Sequence, residues 1–270
     1  MGIAGAATAA WATVVLGALA LGASGALAAG CSRPIKVLAG SARQIEIDGN
    51  KVGGALGALL EQLARDAGCT FQYIEAPIAR GVLMLASGEI DIIPAAAQSA
   101  ERDRGGEFIP FAHARVVAIG LAKRLAAIGA LDAQLNGSYR VGVFRGADYG
   151  TTYRDLIRPL EQQGRLEYIT VVDSGLKMLL AGRVDVIVAV PVSVIGVAPA
   201  PELSEQLQAV ALEGIPRITA GFYLSRHALS AADAAILRTG LRNPAFLKRV
   251  YLSQLSQLPA WARSTIQPTQ

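Results

Sequence analysis

Charge is absent from the first 30 residues of the 270-residue chain, and histidine and cysteine each occur only twice. After Gly30 no uncharged run reaches the about 18–20 residues that a helix needs to cross a bilayer, which excludes a multi-span membrane protein. No run of Lys and Arg exceeds two residues, so the net charge of +4 gives little support to nucleic-acid binding. The hydrophobic content of 52% excludes a disordered chain, and the charged part is long enough for one large domain or two lobes.

The uncharged leader has features of an export signal. Residues 11–21 form an apolar core, and Ala26-Leu27-Ala28 fits the small-x-small pattern of a signal-peptidase site. We therefore expect residues 1–30 to be a signal peptide that is removed from a secreted, periplasmic protein. No Lys or Arg precedes the apolar core, and a retained N-terminal membrane anchor is the alternative.

The two cysteines, Cys31 and Cys69, each stand shortly before a predicted strand. If the two strands are parallel neighbours, the cysteines meet at one end of a sheet and form a disulfide, which would contribute about 3–4 kcal/mol to stability. Two other interpretations stay open. Cys31 could carry a lipid, although the residues before it lack the usual Leu of a lipoprotein signal, or both thiols could be free.

Strands and helices alternate along the mature chain. The apolar spacing of Leu56, Leu59, Leu60 and Leu63 predicts a helix that ends near Gly68. The order of the elements predicts parallel strands with helical crossovers. We expect strands at 35–39, 70–75, 90–94, 116–122, 140–144, 168–172, 184–190 and 219–224, and helices at 54–67, 80–87, 151–163 and 175–181, followed by two helices that Ser230 and Asn243 cap.

A short pattern repeats in the two halves of the chain. Residues 85–93 and residues 179–187 both end a helix at a glycine and enter an apolar strand through an aspartate. Two similar α/β lobes would explain the repeat. Asp91 and Asp185 are then predicted to be turn residues at strand entry, with no catalytic role.

Residues 32–260 resemble the extracytoplasmic solute-binding proteins of the polar amino-acid type, known as bacterial solute-binding protein family 3. The resembling stretches are residues 53–64, the two Gly-x-Ile/Val-Asp turns, residues 99–102 followed by 108–111, and residues 139–146. The resemblance implies an α/β, two-lobe type II fold, each lobe a mainly parallel sheet flanked by helices. It places lobe 1 at 31–116 plus 225–270, lobe 2 at 124–217, and hinge crossovers at 117–123 and 218–224.

The family also implies where a ligand would bind in the first lobe. An Arg three residues after a Ser or Thr binds the ligand carboxylate, and here these residues are Arg102 and Ser99. The planar guanidinium matches the two oxygens of a carboxylate. Without the family pattern, Arg102 would be read as a surface residue paired with Glu101 or Asp103. Arg80 stands where related proteins face the cleft, and a solvated helix face is its alternative.

In the second lobe, Ala147, Asp148 and Tyr149 replace the small hydroxyl residues of the family. Asp148 is either the N-cap of the following helix or the acceptor for a ligand ammonium group, and Tyr149 could stack on the ligand. The usual ammonium-binding Asp is replaced by Val190. Either Asp148 takes over the ammonium, or the ligand is a carboxylate that has none.

The expected function is capture of a small carboxylate-bearing solute, such as an amino acid or a related acid, by hinge closure, with delivery to the membrane permease of an ABC transporter. A periplasmic sensor or accessory module is the alternative. Catalysis is disfavoured because His113 and His227 lack a partner pattern, and Asp148 and Glu107 would be acid candidates only by default. We expect a monomer without metal, cofactor or nucleic acid.

Overall fold

A computed structural model of the chain describes residues 30–40, 44–128, 137–195 and 201–269. The predicted signal peptide lies outside these ranges, except for its last residue, Gly30. Across the described ranges, no helix is long and apolar enough to span a bilayer.

Each predicted strand and helix has a counterpart among the described residues, which also form five strands and three α-helices that were not predicted. The strands are β1 (Ile35–Ala39), β2 (Glu46–Asp48), β3 (Lys51–Gly53), β4 (Phe71–Glu75), β5 (Ile92–Ala97), β6 (Gly106–Ala114), β7 (Val117–Leu121), β8 (Val141–Phe144), β9 (Leu166–Ile169), β10 (Val186–Ala189), β11 (Leu207–Ala211), β12 (Ile218–Ser225) and β13 (Ile266–Pro268). The α-helices are α1 (Gly54–Asp66), α2 (Ile78–Ser87), α3 (Ala100–Gly105), α4 (Ala122–Ile128), α5 (Thr151–Gln162), α6 (Val172–Leu180), α7 (Pro201–Gln206), α8 (Ala231–Leu241) and α9 (Pro244–Ser256).

Local sequence signals set several of these boundaries. The α1 helix buries Leu56, Leu60 and Leu63, which share one face at helical spacing. Both predicted caps are confirmed. The Ser230 side chain accepts a hydrogen bond from the Asp233 main-chain N–H at the start of α8, and the Asn243 side chain accepts two main-chain N–H bonds at the start of α9.

The first lobe is built on a six-stranded sheet of order β13-β6-β12-β5-β1-β4. The strand β1 is parallel to β4 and β5, but β12 is antiparallel to both β5 and β6, and β13 is antiparallel to β6. The expectation of a mainly parallel sheet is therefore wrong for this lobe, and the sheet is mixed. One cause is that β12 follows β11 of the second lobe directly, without an intervening helix, so the helical-crossover rule that predicts parallel neighbours does not apply to it.

The second lobe has a five-stranded sheet of order β11-β7-β10-β8-β9. The residues predicted as hinge crossovers are strands inside the sheets. β7 pairs on both edges, with β10 and β11, and β12 pairs on both edges, with β5 and β6. The chain therefore passes from the first sheet to the second at Arg115-Val116 and returns between Ala211 and Ile218. Both crossovers lie just N-terminal to the ranges predicted for the hinge.

The Cys31–Cys69 disulfide is present, with the two Cα atoms 4.8 Å apart. It lies at the end of the sheet where β1 and β4 begin, because Ile35 is in register with Phe71 on a parallel neighbour. The prediction that parallel strands bring the cysteines together is confirmed.

The two aspartates of the internal repeat make the same main-chain contacts. The Asp91 N–H donates to the Lys36 carbonyl, and an Asp91 carboxylate oxygen accepts the Lys36 N–H at 2.7 Å. The Asp185 N–H donates to the Arg140 carbonyl, and its carboxylate accepts the Arg140 N–H at 2.9 Å. Each aspartate joins its strand entry to the neighbouring parallel strand, as a turn residue would.

Candidate functional site

A cavity of about 140 Å³ lies between the two lobes. The first lobe supplies strand residues 94–97 and Phe111, and the second lobe supplies Phe144, residues 147–149 and Val190. This volume is similar to that of an engineered protein cavity of about 150 Å³ that binds benzene. The size therefore suits a solute of roughly six to nine non-hydrogen atoms.

The strand β5 is distorted where it borders the cavity. Ala95 has a φ of 54°, in the left-handed region that non-glycine residues rarely adopt. The pairing of β5 with β12 shifts register between Gly221 and Tyr223, next to this point. A β-bulge interrupts the hydrogen bonding between paired strands and changes the direction of the nearby side chains. Residues with strained backbone angles are concentrated at binding sites. The distortion places residues 94–97 on the cavity wall.

Arg102 is the buried cation of the cavity wall. Its side chain is only 4% exposed, and its Nη1 donates a hydrogen bond of 2.6 Å to the Ala97 carbonyl oxygen. Its Nη2 donates a 2.9 Å bond to the carbonyl oxygen of Gly146 in the second lobe. No carboxylate of the described residues forms an ion pair with it. The guanidinium is thus held by neutral acceptors, two of its five N–H groups being used in these bonds.

Ser99 supports Arg102 but is not part of the cavity wall. Its hydroxyl accepts the Arg102 main-chain N–H at 3.4 Å and caps α3. The Ser99 N–H donates to the Tyr223 hydroxyl, which in turn donates to Asp103. This chain of bonds fixes the short helix that carries Arg102.

Arg80 does not reach the cavity. It lies on α2 with its side chain 58% exposed, and its Nη2 is 3.3 Å from a carboxylate oxygen of Glu89. Arg80 therefore lies on a solvated helix face and does not occupy the cleft position that the family resemblance implies.

Asp148 lines the cavity but is held by an arginine of its own lobe. Both of its carboxylate oxygens accept from Arg154 Nη1, at 2.8 and 2.9 Å, and one also accepts the Gly150 N–H. The predicted N-cap position is wrong, because α5 begins at Thr151 with Gly150 as its N-cap. Asp148 shapes the loop before the helix and forms an ion pair with a residue six positions later.

Tyr149 lies half-buried in the cavity wall, and its ring meets the ring of Tyr153 edge-on, with centroids 4.9 Å apart. Burial raises the pKa of Tyr149 to about 12, against the opposing effects of the Arg102 charge and a hydrogen bond from the Val190 backbone. The phenol is therefore neutral at physiological pH and presents an uncharged face to the cavity.

Tyr153 sits behind Tyr149 in the core of the second lobe. Its side chain is 1% exposed, and its hydroxyl has no hydrogen-bond partner among the described residues. Burial raises its pKa, so the group stays protonated. An unpaired buried hydroxyl of this kind costs stability.

Two glutamines that line the cavity join the lobes, and neither was predicted from the sequence. Gln254 Nε2 donates to Gln44 Oε1 at 2.8 Å, and Gln44 Nε2 donates to the Val192 carbonyl oxygen of the second lobe at 3.2 Å. A signal did exist for Gln254. It follows Phe246 and Val250 at intervals of four on the buried face of α9, where a polar residue needs a specific partner.

The groups weighed for catalysis have structural partners elsewhere. Glu107 bonds to Arg238 and Arg242, and the hydrogen bond from Arg238 lowers its pKa, whereas a general acid needs a raised pKa. His113 lies 3.3 Å from the Thr219 hydroxyl. In the described part of the chain, no group of three or more His, Cys, Asp or Glu residues is placed to hold a metal ion.

The sequence matches no family model and none of the curated proteins. The fold, however, is similar to that of many solved structures. A histidine kinase sensor domain with similarity to periplasmic binding proteins is 20% identical, with a TM-score of 0.64 over 84% of this chain and 96% of that chain. The solute receptor for L-cysteine of Neisseria gonorrhoeae is 16% identical, with a TM-score of 0.63 over 85% and 94%.

An amino-acid ABC transporter substrate-binding protein of Streptococcus pneumoniae, bound to L-arginine, is 14% identical, with a TM-score of 0.61 over 82% of this chain and 93% of that chain. The expected likeness to extracytoplasmic solute-binding proteins is thus confirmed at the level of the fold, and sensor domains share it. The chain has the two-lobe, type II periplasmic-binding-protein fold, with mixed sheets flanked by helices and a small cavity between the lobes.

Proposed function

We propose that this protein is an exported solute-binding protein that closes its two lobes on a small carboxylate-bearing solute. The observation that carries the proposal is Arg102, a buried guanidinium at the cavity wall that has neutral carbonyl partners and no ion pair with a described carboxylate. A buried charge without a counter-charge is costly, and an anionic ligand would supply one. A charged hydrogen bond of this type is worth about 1.5–3 kcal/mol.

The way the two lobes share the cavity wall supports the proposal of hinge closure. The first lobe provides Arg102, and residues 147–149 of the second lobe stand across from it. A ligand that contacts both walls binds the closed form more tightly than the open form, and it shifts the equilibrium by that difference in affinity. Delivery of the solute to the permease of an ABC transporter is the role that the amino-acid-binding neighbours suggest.

A sensor role is the second candidate function. A histidine kinase sensor domain has the same fold, with a TM-score at least as high as those of the transport receptors described above. In that role, closure would change the surface presented to a membrane receptor and would not deliver the solute. Uptake of the radiolabelled ligand by cells with and without the gene separates the two roles, since only transport requires the protein for uptake.

Binding is tested by isothermal titration calorimetry of the mature protein against a panel of small carboxylic acids and amino acids. Arg102→Ala should weaken binding of the best ligand by about tenfold or more, the equivalent of one charged hydrogen bond. Arg80→Ala is the matched control, because it removes an exposed arginine of the same lobe that lies outside the cavity. Equal affinities for the wild type and Arg102→Ala would refute the assignment of the site.

A further inference from the structure

We infer that the solute is a small carboxylate with an apolar body and no ammonium group, and that the protein discriminates against the corresponding α-amino acid. This inference rests on the proposed function, because it takes Arg102 as the carboxylate-binding group. It goes further by naming the chemical class of the ligand. Arg154, through its hold on Asp148, is the residue that sets this preference.

The charged groups of the cavity give the first argument. Among the described residues that line it, Arg102 and Asp148 are the charged side chains. An α-amino acid needs an anion for its ammonium group as well as a cation for its carboxylate. Asp148 would have to be that anion, since Val190 is apolar and lines the same wall.

Asp148 is already ion-paired with Arg154, whose side chain is 51% exposed while that of Asp148 is 27% exposed. Arg154 Nη1 lies 2.8 and 2.9 Å from its two oxygens, and the Gly150 N–H takes a further acceptor site at 3.0 Å. A carboxylate offers about four lone-pair sites, of which three are thus in use. An ammonium group that enters the cavity loses its hydration, which costs free energy. The ion pair has little net charge, so its attraction for the ammonium would offset only a small part of that cost.

Most of the remaining wall is apolar and favours an apolar ligand body, with Gln44, Ser193 and Gln254 as its neutral polar side chains. Phe111 and Ile218 of the first lobe and Phe144, Val190 and Val192 of the second line the cavity. Each buried CH₂ group contributes about 0.8 kcal/mol in such surroundings, whereas a buried ammonium without a counter-charge costs several kcal/mol. With a volume of about 140 Å³, the cavity suits a branched or cyclic carboxylate of five or six carbons.

Matched pairs of ligands test the inference directly by calorimetry. Valine is compared with 3-methylbutanoate, and leucine with 4-methylpentanoate, so that within each pair only the amino group differs. The expected result is that the des-amino acid binds at least about tenfold more tightly than its parent. If the amino acid binds as tightly or more tightly, the inference is overturned while the proposed function stands. If no member of the two classes binds, both the inference and the proposed function fail.

A variant of Arg154 tests the cause of the preference. Arg154→Gln removes the charge that neutralises Asp148, so the ratio of the two affinities in each pair should fall by at least about threefold, through tighter binding of the amino acid. Arg158→Gln is the matched control. Arg158 lies on the same helix, is exposed, and pairs with Asp155, and neither residue lines the cavity. Equal affinity ratios in Arg154→Gln and Arg158→Gln would overturn the role of Arg154.

Discussion

The Gly146 carbonyl oxygen accepts a 2.9 Å hydrogen bond from the Arg102 guanidinium, so that a backbone group of one lobe binds the buried cation of the other. The approach is close because Gly146 has no side chain. A Cβ atom there would lie 2.7 Å from the Cβ of Ala79 on α2, and Gly146 has a φ of +79°. The contact between the lobes at this point depends on glycine.

Gly146→Ala should hold the lobes apart. We expect a larger radius of gyration in small-angle X-ray scattering with ligand present, and ligand affinity reduced by about tenfold or more, because closure would force a steric clash. Gly150→Ala is the control. Gly150 also has a positive φ, +97°, but its added Cβ would meet no atom within 4 Å. The same compact form in both variants would contradict the predicted clash.

Tyr153→Phe should stabilise the protein. Its buried hydroxyl lacks a partner among the described residues, so its removal should raise the free energy of unfolding by about 1 kcal/mol. Tyr223→Phe should lower the free energy of unfolding by about 1 kcal/mol, because the Tyr223 hydroxyl donates a hydrogen bond to Asp103 and accepts one from Ser99. Urea unfolding measures both. A lower free energy of unfolding in Tyr153→Phe would contradict the prediction, because it would indicate that the hydroxyl forms a stabilising hydrogen bond.

The two aspartates of the internal repeat should differ in their contributions to stability. Asp91 is 1% exposed and binds Arg33 through both oxygens, at 2.7 Å each, whereas Asp185 is 29% exposed and lies 3.6 Å from Arg124. We expect Asp91→Asn to cost about 2–3 kcal/mol of unfolding free energy, and Asp185→Asn less than about 1 kcal/mol. Urea unfolding of the two single variants checks the order, and equal costs would contradict it.

Stability should fall at acid pH. The Glu107 pKa is lowered from about 4.5 by its hydrogen bond to Arg238, and the Asp233 pKa is lowered from about 3.8 by hydrogen bonds from Ser32. Because these carboxylates bind protons more weakly in the folded state, the stability that they provide is present above about pH 4.5 and is lost as the pH falls below it. Thermal unfolding between pH 6 and pH 3 checks this. Glu107→Gln should show a shallower loss over that range, and an unchanged slope would exclude Glu107 as a cause.

The features predicted correctly from the sequence are set by residues close together in the chain or by a simple rule of parallel strands. The Ser230 and Asn243 caps are local, and the Cys31–Cys69 pairing follows once β1 and β4 are neighbours. The antiparallel return of β12 between β5 and β6 leaves no such local signal, because its partners lie more than 100 residues earlier.

The candidate site was predictable in part. Arg102, Ala147, Asp148 and Tyr149 do line the cavity, whereas the pairing of Arg80 with Glu89 and of Asp148 with Arg154 depends on side-chain directions that spacing does not determine. The Gln44–Gln254 bond joins residues that lie 210 positions apart in the sequence, and only the folded protein brings them together.

The Cys31–Cys69 disulfide has a consequence for the chemistry that is open to Cys31. A sulfur bonded to another sulfur has no valence left for a thioether, so a molecule with this bond carries no thioether-linked lipid on the Cys31 sulfur. The disulfide and the lipid attachment considered for Cys31 are therefore mutually exclusive, and the bond in the structure is the disulfide.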